Sequence, residues 1–231
     1  MNSISIIIPI LNEADTIGKL LQYLIENSSK ENISEIIVVD GGSIDESKEI
    51  VAQFKNIILL DSSKGRAKQM NLGSKKATGN ILYFLHADSF PPKHFDTYII
   101  KEIEKGNKAG CFCMQFNSKH WWLQLAGWLT KFSWRVCRGG DQSQFIIKKI
   151  FEELNGFDER FTIYEDNDLI TKLYARKEFV VIQKWLTTSA RRYQSNGIWK
   201  LQYHFCTIYM KKWFGASAED LHDYYLKNIK T

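Results

Sequence analysis

The first ninety residues alternate short apolar runs with segments in which apolar residues recur at a helical spacing. The apolar runs, rich in β-branched side chains, are residues 3–11, 35–40, 56–61 and 80–85. Residues 16–25 place apolar side chains at 17, 20, 21, 24 and 25, which predicts a helix. Residues 44–54 and 65–77 predict two more, the first opened by a capping box of Ser43 and Glu46. The pattern therefore predicts strands and helices in strict alternation.

These strands are apolar without alternation, as expected when helices cover both faces of a parallel sheet. Short connections between alternating elements predict a doubly wound, mostly parallel α/β sheet with right-handed crossovers. Ligands of such sheets bind at the carboxyl ends of the strands. The run at 80–85 is followed directly by His86, Ala87 and Asp88. We therefore expect His86 and Asp88 to lie at a ligand site.

The second half of the chain is less regular. Its landmarks are a Trp-rich helical stretch at 121–134, acids at 165–168 before an amphipathic helix at 169–176, a strand-like run at 180–186 and an aromatic, basic helix at 203–214. The sequence contains no internal repeat, low-complexity tract or evident linker. We predict a single domain over residues 1–231.

The composition of the chain limits its expected binding partners and cellular compartment. The formal net charge of +5 is mild, so it does not call for nucleic acid, and it suits an anionic ligand or an acidic membrane surface. The four cysteines have neither CxxC nor zinc-finger spacing, which favours buried thiols in a reduced compartment. The chain shows no signal peptide and no spanning apolar run. We expect a cytoplasmic protein, soluble or peripheral at the inner face of the cell membrane.

Three groups of polar residues are candidates for chemistry. Asp40 precedes Gly41-Gly42-Ser43, so it is either a ligand to a base or ribose or a solvated residue in a helix-entry turn. Asp88 follows a strand that needs no carboxylate for packing, and a carboxylate beside a diphosphate can hold Mg²⁺ or Mn²⁺. His86 is a metal ligand, a donor to phosphate or a core histidine, with no preference among the three.

Glu165, Asp166 and Asp168 crowd three acids into four residues. They are either helix-capping residues or a site at which one carboxylate removes a proton from a hydroxyl. Arg66, with Lys64 and Lys68, lies at the start of a predicted helix, where cations and free amides suit a diphosphate.

Four segments stand in a distinctive order over most of residues 3–170: SIIIPILNEADTI, EIIVVDGGSIDES, GRAKQMNLGSKKATGNILYFLHADS and GGDQSQFIIKKIFEELNGFDERFTIYEDNDL. Together they resemble the family-2 glycosyltransferases, which are inverting enzymes of the GT-A fold. HADS in place of the usual Asp-x-Asp, with GDQ at 140–142 and TSARRY at 188–193, is similar to a bacterial subgroup of that family.

The resemblance implies a donor site in the first half of the chain. Pro9, Asn12 and Glu13 match the first nucleotide-contacting loop, and Asp40 matches the aspartate that holds the base or ribose. It also implies a nucleoside-diphosphate sugar as donor, with uridine as the preferred base. Residues 1–90 are then the nucleotide-sugar-binding half, and residues 91–231 the acceptor-binding half.

The same resemblance assigns the reaction chemistry. Asp88 matches the metal-contacting carboxylate of Asp-x-Asp, which implies Mg²⁺ or Mn²⁺ as cofactor, and Asp166 matches the catalytic base. His86 departs from the family pattern, which has an aspartate at that position, and so puts the coordination of the metal in question.

Further candidates belong to the acceptor side or to secondary roles. These are Glu165, Asp168, Asp141, Gln142, Arg191 and Arg192. The two arginines either clamp a phosphate or are merely exposed. The Trp-rich stretch and the helix at 203–214 are either packed on the core or form a surface for a lipid-linked acceptor at a membrane.

Two other functions compete with sugar transfer. A nicotinamide-dependent dehydrogenase would need GxGxxG in its first turn, and the chain has Pro9-Ile10-Leu11-Asn12-Glu13 there, so we set that class aside. A non-catalytic module that binds sugar nucleotides or a membrane surface remains the alternative.

Overall fold

The amino-terminal half folds as the predicted alternation of strands and helices, in a computed structural model that describes residues 2–139 and 142–229. Its elements are β1 (Ile4–Ile10), α1 (Ala14–Asn27), β2 (Ile33–Asp40), α2 (Ser47–Ala52), β3 (Ile57–Asp61), α3 (Arg66–Lys76) and β4 (Ile81–Phe84). Every strand and helix predicted for this half is present.

The carboxyl-terminal half adds further strands to the sheet and ends in helices. Its elements are β5 (Ser89–Phe90), α4 (Phe95–Glu104), β6 (Ala109–Phe116), α5 (Trp121–Leu129), a 3-10 turn (Arg135–Cys137), β7 (Gln144–Ile147), α6 (Lys148–Glu153), α7 (Glu165–Ala175), β8 (Phe179–Thr188), α8 (Arg191–Asn196), α9 (Ile198–Trp213) and α10 (Ala218–Asn228). The predicted strand at 180–186 and the helices at 121–134 and 203–214 correspond to β8, α5 and α9.

The strands form one sheet in the order β3-β2-β1-β4-β7-β6-β8-β5. The pairs β1–β2, β1–β4, β2–β3 and β6–β8 are parallel. The antiparallel pairs are β4–β7, β6–β7 and β5–β8, all of which involve strands of the second half. The predicted doubly wound, mostly parallel sheet is therefore confirmed, with an antiparallel extension on one side.

Helices pack on both faces of the sheet because successive residues of the central strands point in opposite directions. Ile6 and Ile8 of β1 lie in one core cluster with Leu20 of α1. Ile7 lies in the other cluster with Met70 of α3. The two clusters account for the apolar character of β1 along its whole length.

A third, smaller cluster holds the carboxyl-terminal helices together. Leu201 and Ile208 of α9 pack with Leu221 of α10 and with Phe161. Ser217 begins α10 with a capping box, in which its hydroxyl accepts from the Asp220 N–H. The end of the described chain thus has a core of its own beside the sheet.

The capping box predicted at Ser43 and Glu46 is wrong. Helix α2 begins at Ser47, and its first flanking residue, Glu46, makes no side-chain capping bond. Ser43 instead bonds to the neighbouring loop, since its hydroxyl accepts from the Asn12 N–H at 2.9 Å. A Ser-x-x-Glu pattern fits either geometry, and here the tertiary contact prevails.

The cysteine prediction holds for part of the set. Cys111 and Cys113 on β6 are buried, and burial raises the pKa of the Cys111 thiol to about 11. Cys206 on α9 is exposed, contrary to the expectation of buried thiols, because it lies on the face of α9 opposite the buried Leu201, His204 and Ile208. No helix of the described residues is both long and apolar enough to cross a bilayer.

Candidate active site

The carboxyl ends of β1 and β2 are held together by one buried amide. The Gln69 side chain on α3 donates to the carbonyl oxygens of Ile10 and Val39 at 2.8 and 2.7 Å. Both carbonyls lie at the end of their strands, so one side chain fixes where two loops begin. No local pattern indicates this role, because in the sequence Gln69 resembles any polar residue of a helix.

The β1–α1 loop and the β2–α2 loop are joined by reciprocal hydrogen bonds. The Asn12 N–H donates to the Ser43 hydroxyl, and the Asn12 amide oxygen accepts from the Ile44 N–H, both at 2.9 Å. Asn12 has a left-handed backbone with φ 55°, a conformation that asparagine tolerates better than most residues. Asp45 adds a third contact by accepting from the Ala14 N–H at 3.0 Å. The two loops therefore form one rigid wall.

Asp40 stabilises the turn after β2 with its own side chain. Its carboxylate accepts from the backbone N–H groups of Gly42 and Ser43, and its side chain is 1% exposed. Gly42 has φ 93°, which a residue with a side chain rarely adopts. The solvated alternative for Asp40 is therefore wrong, and its role toward a base or ribose stays a prediction. Pro9 lies inside β1, buried beside Val39, rather than in the loop itself.

Arg191 brings three distant segments together. Its guanidinium donates to the Glu13 carboxylate of the β1–α1 loop and lies 3.9 Å from Asp88 Oδ2 in the turn after β4. The hydrogen bond that Arg191 donates to Glu13 raises the pKa of Arg191, and the charge of Asp88 adds to the effect. Arg191 is exposed, with 46% of its side chain accessible, but it is also ion-paired, and its role toward a phosphate stays a prediction. A cation flanked by carboxylates at strand ends is suited to meet an incoming diphosphate.

His86 and Asp88 lie in a turn between β4 and β5. The Ser89 N–H donates to the His86 carbonyl at 3.1 Å, so residues 86–89 form a turn before β5. The Ser89 hydroxyl forms a hydrogen bond of 2.9 Å with the Thr188 hydroxyl at the end of β8. This bond places residues 86–89 beside the start of α8. Asp88 and Arg191 meet for this reason. Both His86 and Asp88 are half-buried.

The acids at 165–168 form the first turn of α7 instead of preceding the helix. Tyr164 has φ 77°, a left-handed conformation that starts the helix earlier than the periodicity suggested. Glu165 is fully buried and pairs with Arg66 Nε at 2.7 Å. Asp168 pairs with Lys172 one turn later, also at 2.7 Å. The first flanking residue of α7 makes no side-chain capping bond.

The Arg66–Glu165 pair joins the amino termini of α3 and α7. Helix α3 begins after β3 ends, so its amino terminus lies at the carboxyl edge of the sheet, and α7 is drawn to the same edge. Asp166, the predicted base, is 6% exposed in this turn. Arg66, predicted as a diphosphate contact, is thus also a partner of a buried carboxylate.

Two other predicted residues have structural partners. Gln142 is buried, accepting from Arg138 Nη1 at 2.7 Å and donating to the Cys137 carbonyl at 2.6 Å. Arg192 stacks on Phe205 and donates to the Tyr225 hydroxyl, so it joins α8 to α9 and α10. Asp141 lies outside the described residues.

A divalent cation would need ligands from outside the protein. Within residues 2–139 and 142–229, no three acidic, histidine or cysteine side chains gather closely enough to hold a metal ion. Asp88 nevertheless fits Mg²⁺ or Mn²⁺ as a hard carboxylate donor, provided that diphosphate oxygens complete the coordination. The arrangement therefore suits a metal shared with a ligand.

The family model of glycosyl transferase family 2 matches residues 5–135. This is more than half of the 231 residues of the chain. The chain belongs to glycosyl transferase family 2. The match includes Glu13, Asp40 and Asp88 and ends before Asp166 and Arg191. The resemblance stated from the sequence is thus confirmed at the level of the family.

Two relatives show how far the similarity of this family-2 chain extends. Glycosyltransferase AglE of Haloferax volcanii is 36% identical over 94 residues, which are 38% of this chain and 31% of AglE. The undecaprenyl-phosphate 4-deoxy-4-formamido-L-arabinose transferase of Proteus mirabilis is 28% identical over 114 residues, which are 46% of this chain and 35% of that enzyme. The matched segments span about a third of each relative.

Solved structures establish the fold. The S. aureus TarS fragment 1–349 in complex with UDP aligns with a TM-score of 0.69 at 18% identity, covering 81% of this chain and 60% of TarS. The mannosyltransferase PcManGT of Pyrobaculum calidifontis, in complex with GDP-Man and Mn²⁺, aligns with a TM-score of 0.68 at 19% identity, covering 96% of this chain and 69% of the other. The family-2 chain has the GT-A fold, as predicted.

Proposed function

We propose that this family-2 chain is an inverting glycosyltransferase that moves a sugar from a nucleoside-diphosphate donor to an acceptor hydroxyl. The observation that carries the proposal is the meeting of Glu13, Asp88 and Arg191 at the carboxyl edge of the sheet. These residues come from segments that are far apart in the sequence. An open α/β sheet binds its ligand at this edge.

The donor's nucleoside would contact the wall formed by the β1–α1 and β2–α2 loops, beside Asp40. Uridine diphosphate is the proposed carrier, supported by UDP in the TarS complex. The GDP-Man in the PcManGT complex makes guanosine the alternative to test. Arg191 would release its carboxylate partners in favour of the donor's diphosphate, which carries more negative charge than either.

In the proposed reaction, the acceptor oxygen attacks the anomeric carbon from the face opposite the diphosphate. The new carbon–oxygen bond forms as the bond to the diphosphate oxygen breaks, and Asp166 takes the proton of the acceptor hydroxyl. Asp166 lies in the first turn of α7, where the positive end of the helix dipole favours an ionised carboxylate. A carboxyl group must be ionised before it can accept a proton, so this position suits the role.

A divalent ion held by Asp88 and diphosphate oxygens would supply positive charge to the leaving group. Its proposed identity is Mn²⁺ or Mg²⁺, supported by the hard donor at Asp88 and by the Mn²⁺ in the PcManGT complex. Arg191 contributes charge of the same sign from the protein. The two cations would share the developing charge of the diphosphate.

The proposed acceptor is a lipid-linked hydroxyl compound. The support is the Proteus mirabilis relative, whose name specifies undecaprenyl phosphate. Residues 91–231 would supply the acceptor side within a single domain, and Asp168, Gln142 and Arg192 would have supporting structural roles within this region.

Release of nucleoside diphosphate tests the proposal against a module that only binds. Purified full-length protein is incubated with UDP- and GDP-sugars, with and without Mn²⁺ and a membrane lipid extract. We expect Mn²⁺-stimulated release from one donor class. Tight donor binding with release no faster than in protein-free controls would favour the non-catalytic module.

A further inference from the structure

Helix α9 presents a stripe of large apolar side chains to solvent. Trp199, Tyr203, Met210 and Trp213 follow one another at intervals of four, seven and three residues, so they share one face of the helix. Their exposed fractions run from 56% to 83%. The buried residues Leu201, His204 and Ile208 lie on the other face. The stripe is therefore additional to the packing of α9, not part of it.

Helix α5 carries a second stripe that meets the first. Trp121, Leu125 and Trp128 are exposed at intervals of four and three residues. The rings of Trp121 and Trp199 lie 5.9 Å apart between centroids, so the two stripes are continuous. We call the joined surface the aromatic band. Its members are Trp121, Leu125, Trp128, Trp199, Tyr203, Met210 and Trp213.

The two sequence segments that form the aromatic band contain basic residues and no acidic ones; the acid Asp220, which lies near Lys211, belongs to α10. Residues 105–140 and residues 179–218 contain no aspartate or glutamate, and each segment contains six lysines and arginines. All seven tryptophans of the chain lie in these two segments. Lys119, Lys200 and Lys211 are exposed beside the band. In the chain as a whole the acids number 26, so their exclusion from 76 residues that hold every tryptophan is a marked segregation.

We propose that the aromatic band docks the protein on the surface of an anionic lipid bilayer. Indole rings settle at the depth of the headgroups, and lysines beside them are attracted to acidic lipids. A second copy of the chain fits less well, because a two-fold contact would bring the basic segments of one copy, which contain no acid, against the same segments of the other. The bilayer supplies the negative charge that another copy lacks.

Membrane docking is a separate proposal that does not depend on the proposed function. What docking implies for the acceptor does rest on the proposed function. The Tyr209 hydroxyl of α9 lies 3.3 Å from the Asn167 side chain, next to Asp166 in α7. Docking through α9 would therefore hold the first turn of α7 close to the lipid headgroups. A lipid-linked hydroxyl could then reach the base without leaving the membrane.

Co-sedimentation with vesicles tests the docking surface without any donor or acceptor. Full-length protein is mixed with vesicles of phosphatidylcholine alone or with an equal share of phosphatidylglycerol. We expect binding to the anionic vesicles, weakened by salt, and a loss of at least about tenfold in the Trp199→Ser/Trp213→Ser variant. The matched control is Ile25→Ser/Ile58→Ser, which removes two exposed apolar residues from the other half and should bind like the wild type.

Quenching of tryptophan fluorescence by lipids with brominated chains keeps the test valid if the double variant fails to fold. We expect quenching of the wild type in anionic vesicles. The proposal is overturned by a wild type that neither sediments nor is quenched, by equal binding to both kinds of vesicle, or by a folded double variant that binds unchanged. Dimers in solution that leave the vesicles unbound would overturn it as well, and would assign the band to a second copy.

Discussion

The carboxyl edge of the sheet, which is the proposed donor site and which we call the donor edge, and the helices α8–α10 are built in opposite ways. At the donor edge, the loops after β1 and β2 are joined by side-chain-to-backbone hydrogen bonds, and Asp40 and Gln69 are almost wholly buried. Around α9, a small apolar cluster holds the helices together while large aromatic side chains face solvent.

The difference corresponds to two kinds of ligand. Fixed backbone groups and buried carboxylates suit a small polar ligand that must be held in one orientation. Exposed indoles and lysines suit an extended partner without fixed geometry, such as a bilayer surface. Arg191 and the first turn of α7 lie where the two regions meet, which is where a transfer reaction would occur.

The largest effect is expected at that junction. Asp166→Asn should lower kcat for sugar transfer by at least about 100-fold, because general-base catalysis contributes on that scale, while the Kd of the donor stays within about twofold. Initial rates and calorimetric titration measure the two quantities. Asp168→Asn, in the same turn but paired with Lys172, is the matched control and should keep most of the rate. A variant at 166 that retains half the activity would assign the base to another residue.

Comparing Asp88→Ala with His86→Ala tests which side chain at the donor edge holds the metal ion. We expect Asp88→Ala to weaken Mn²⁺-dependent UDP binding by about tenfold, which is about 1.4 kcal/mol, because a carboxylate suits a hard cation. His86→Ala should have a smaller effect, since imidazole is the poorer ligand for that ion. Titrations with and without Mn²⁺ measure both. Equal losses would make His86 a true ligand, and an unchanged affinity in Asp88→Ala would remove the metal from this turn.

A smaller effect, on the free energy of unfolding, tests whether the loops at the donor edge are more firmly held than the exposed side chains of α9. Asn12→Ala should lower the free energy of unfolding by about 1 kcal/mol, because it removes the acceptor of the Ile44 N–H. Trp213→Ser, at a side chain 83% exposed, should change it by no more than about 0.5 kcal/mol. Denaturant unfolding of both variants gives the comparison. If Trp213→Ser proved the more destabilising, α9 would be packed against something in solution, and the contrast between the regions would fail.

Much of the fold followed from local sequence, whereas the contacts within the site did not. The apolar runs of β1, β2 and β4 are unambiguous because buried parallel strands need no polar side chains. The Arg191–Glu13 pair joins residues 178 positions apart, and no local pattern could have indicated it. The start of α7 was placed too late because a left-handed Tyr164, unusual for an aromatic residue, sets it. The periodicity of apolar residues carries no information about such tertiary contacts.

The most direct test of the central claim is the thermal stability of the full-length chain in the presence of nucleoside diphosphates. With Mn²⁺ present, UDP or GDP at about 100 times its Kd should stabilise the folded protein by about 2.7 kcal/mol and raise its Tm, by mass action. The account predicts such a rise for one of the two nucleotides, and a clearly smaller one in Asp88→Ala. No rise with either nucleotide in the wild type would contradict the assignment of this edge of the sheet as a donor site.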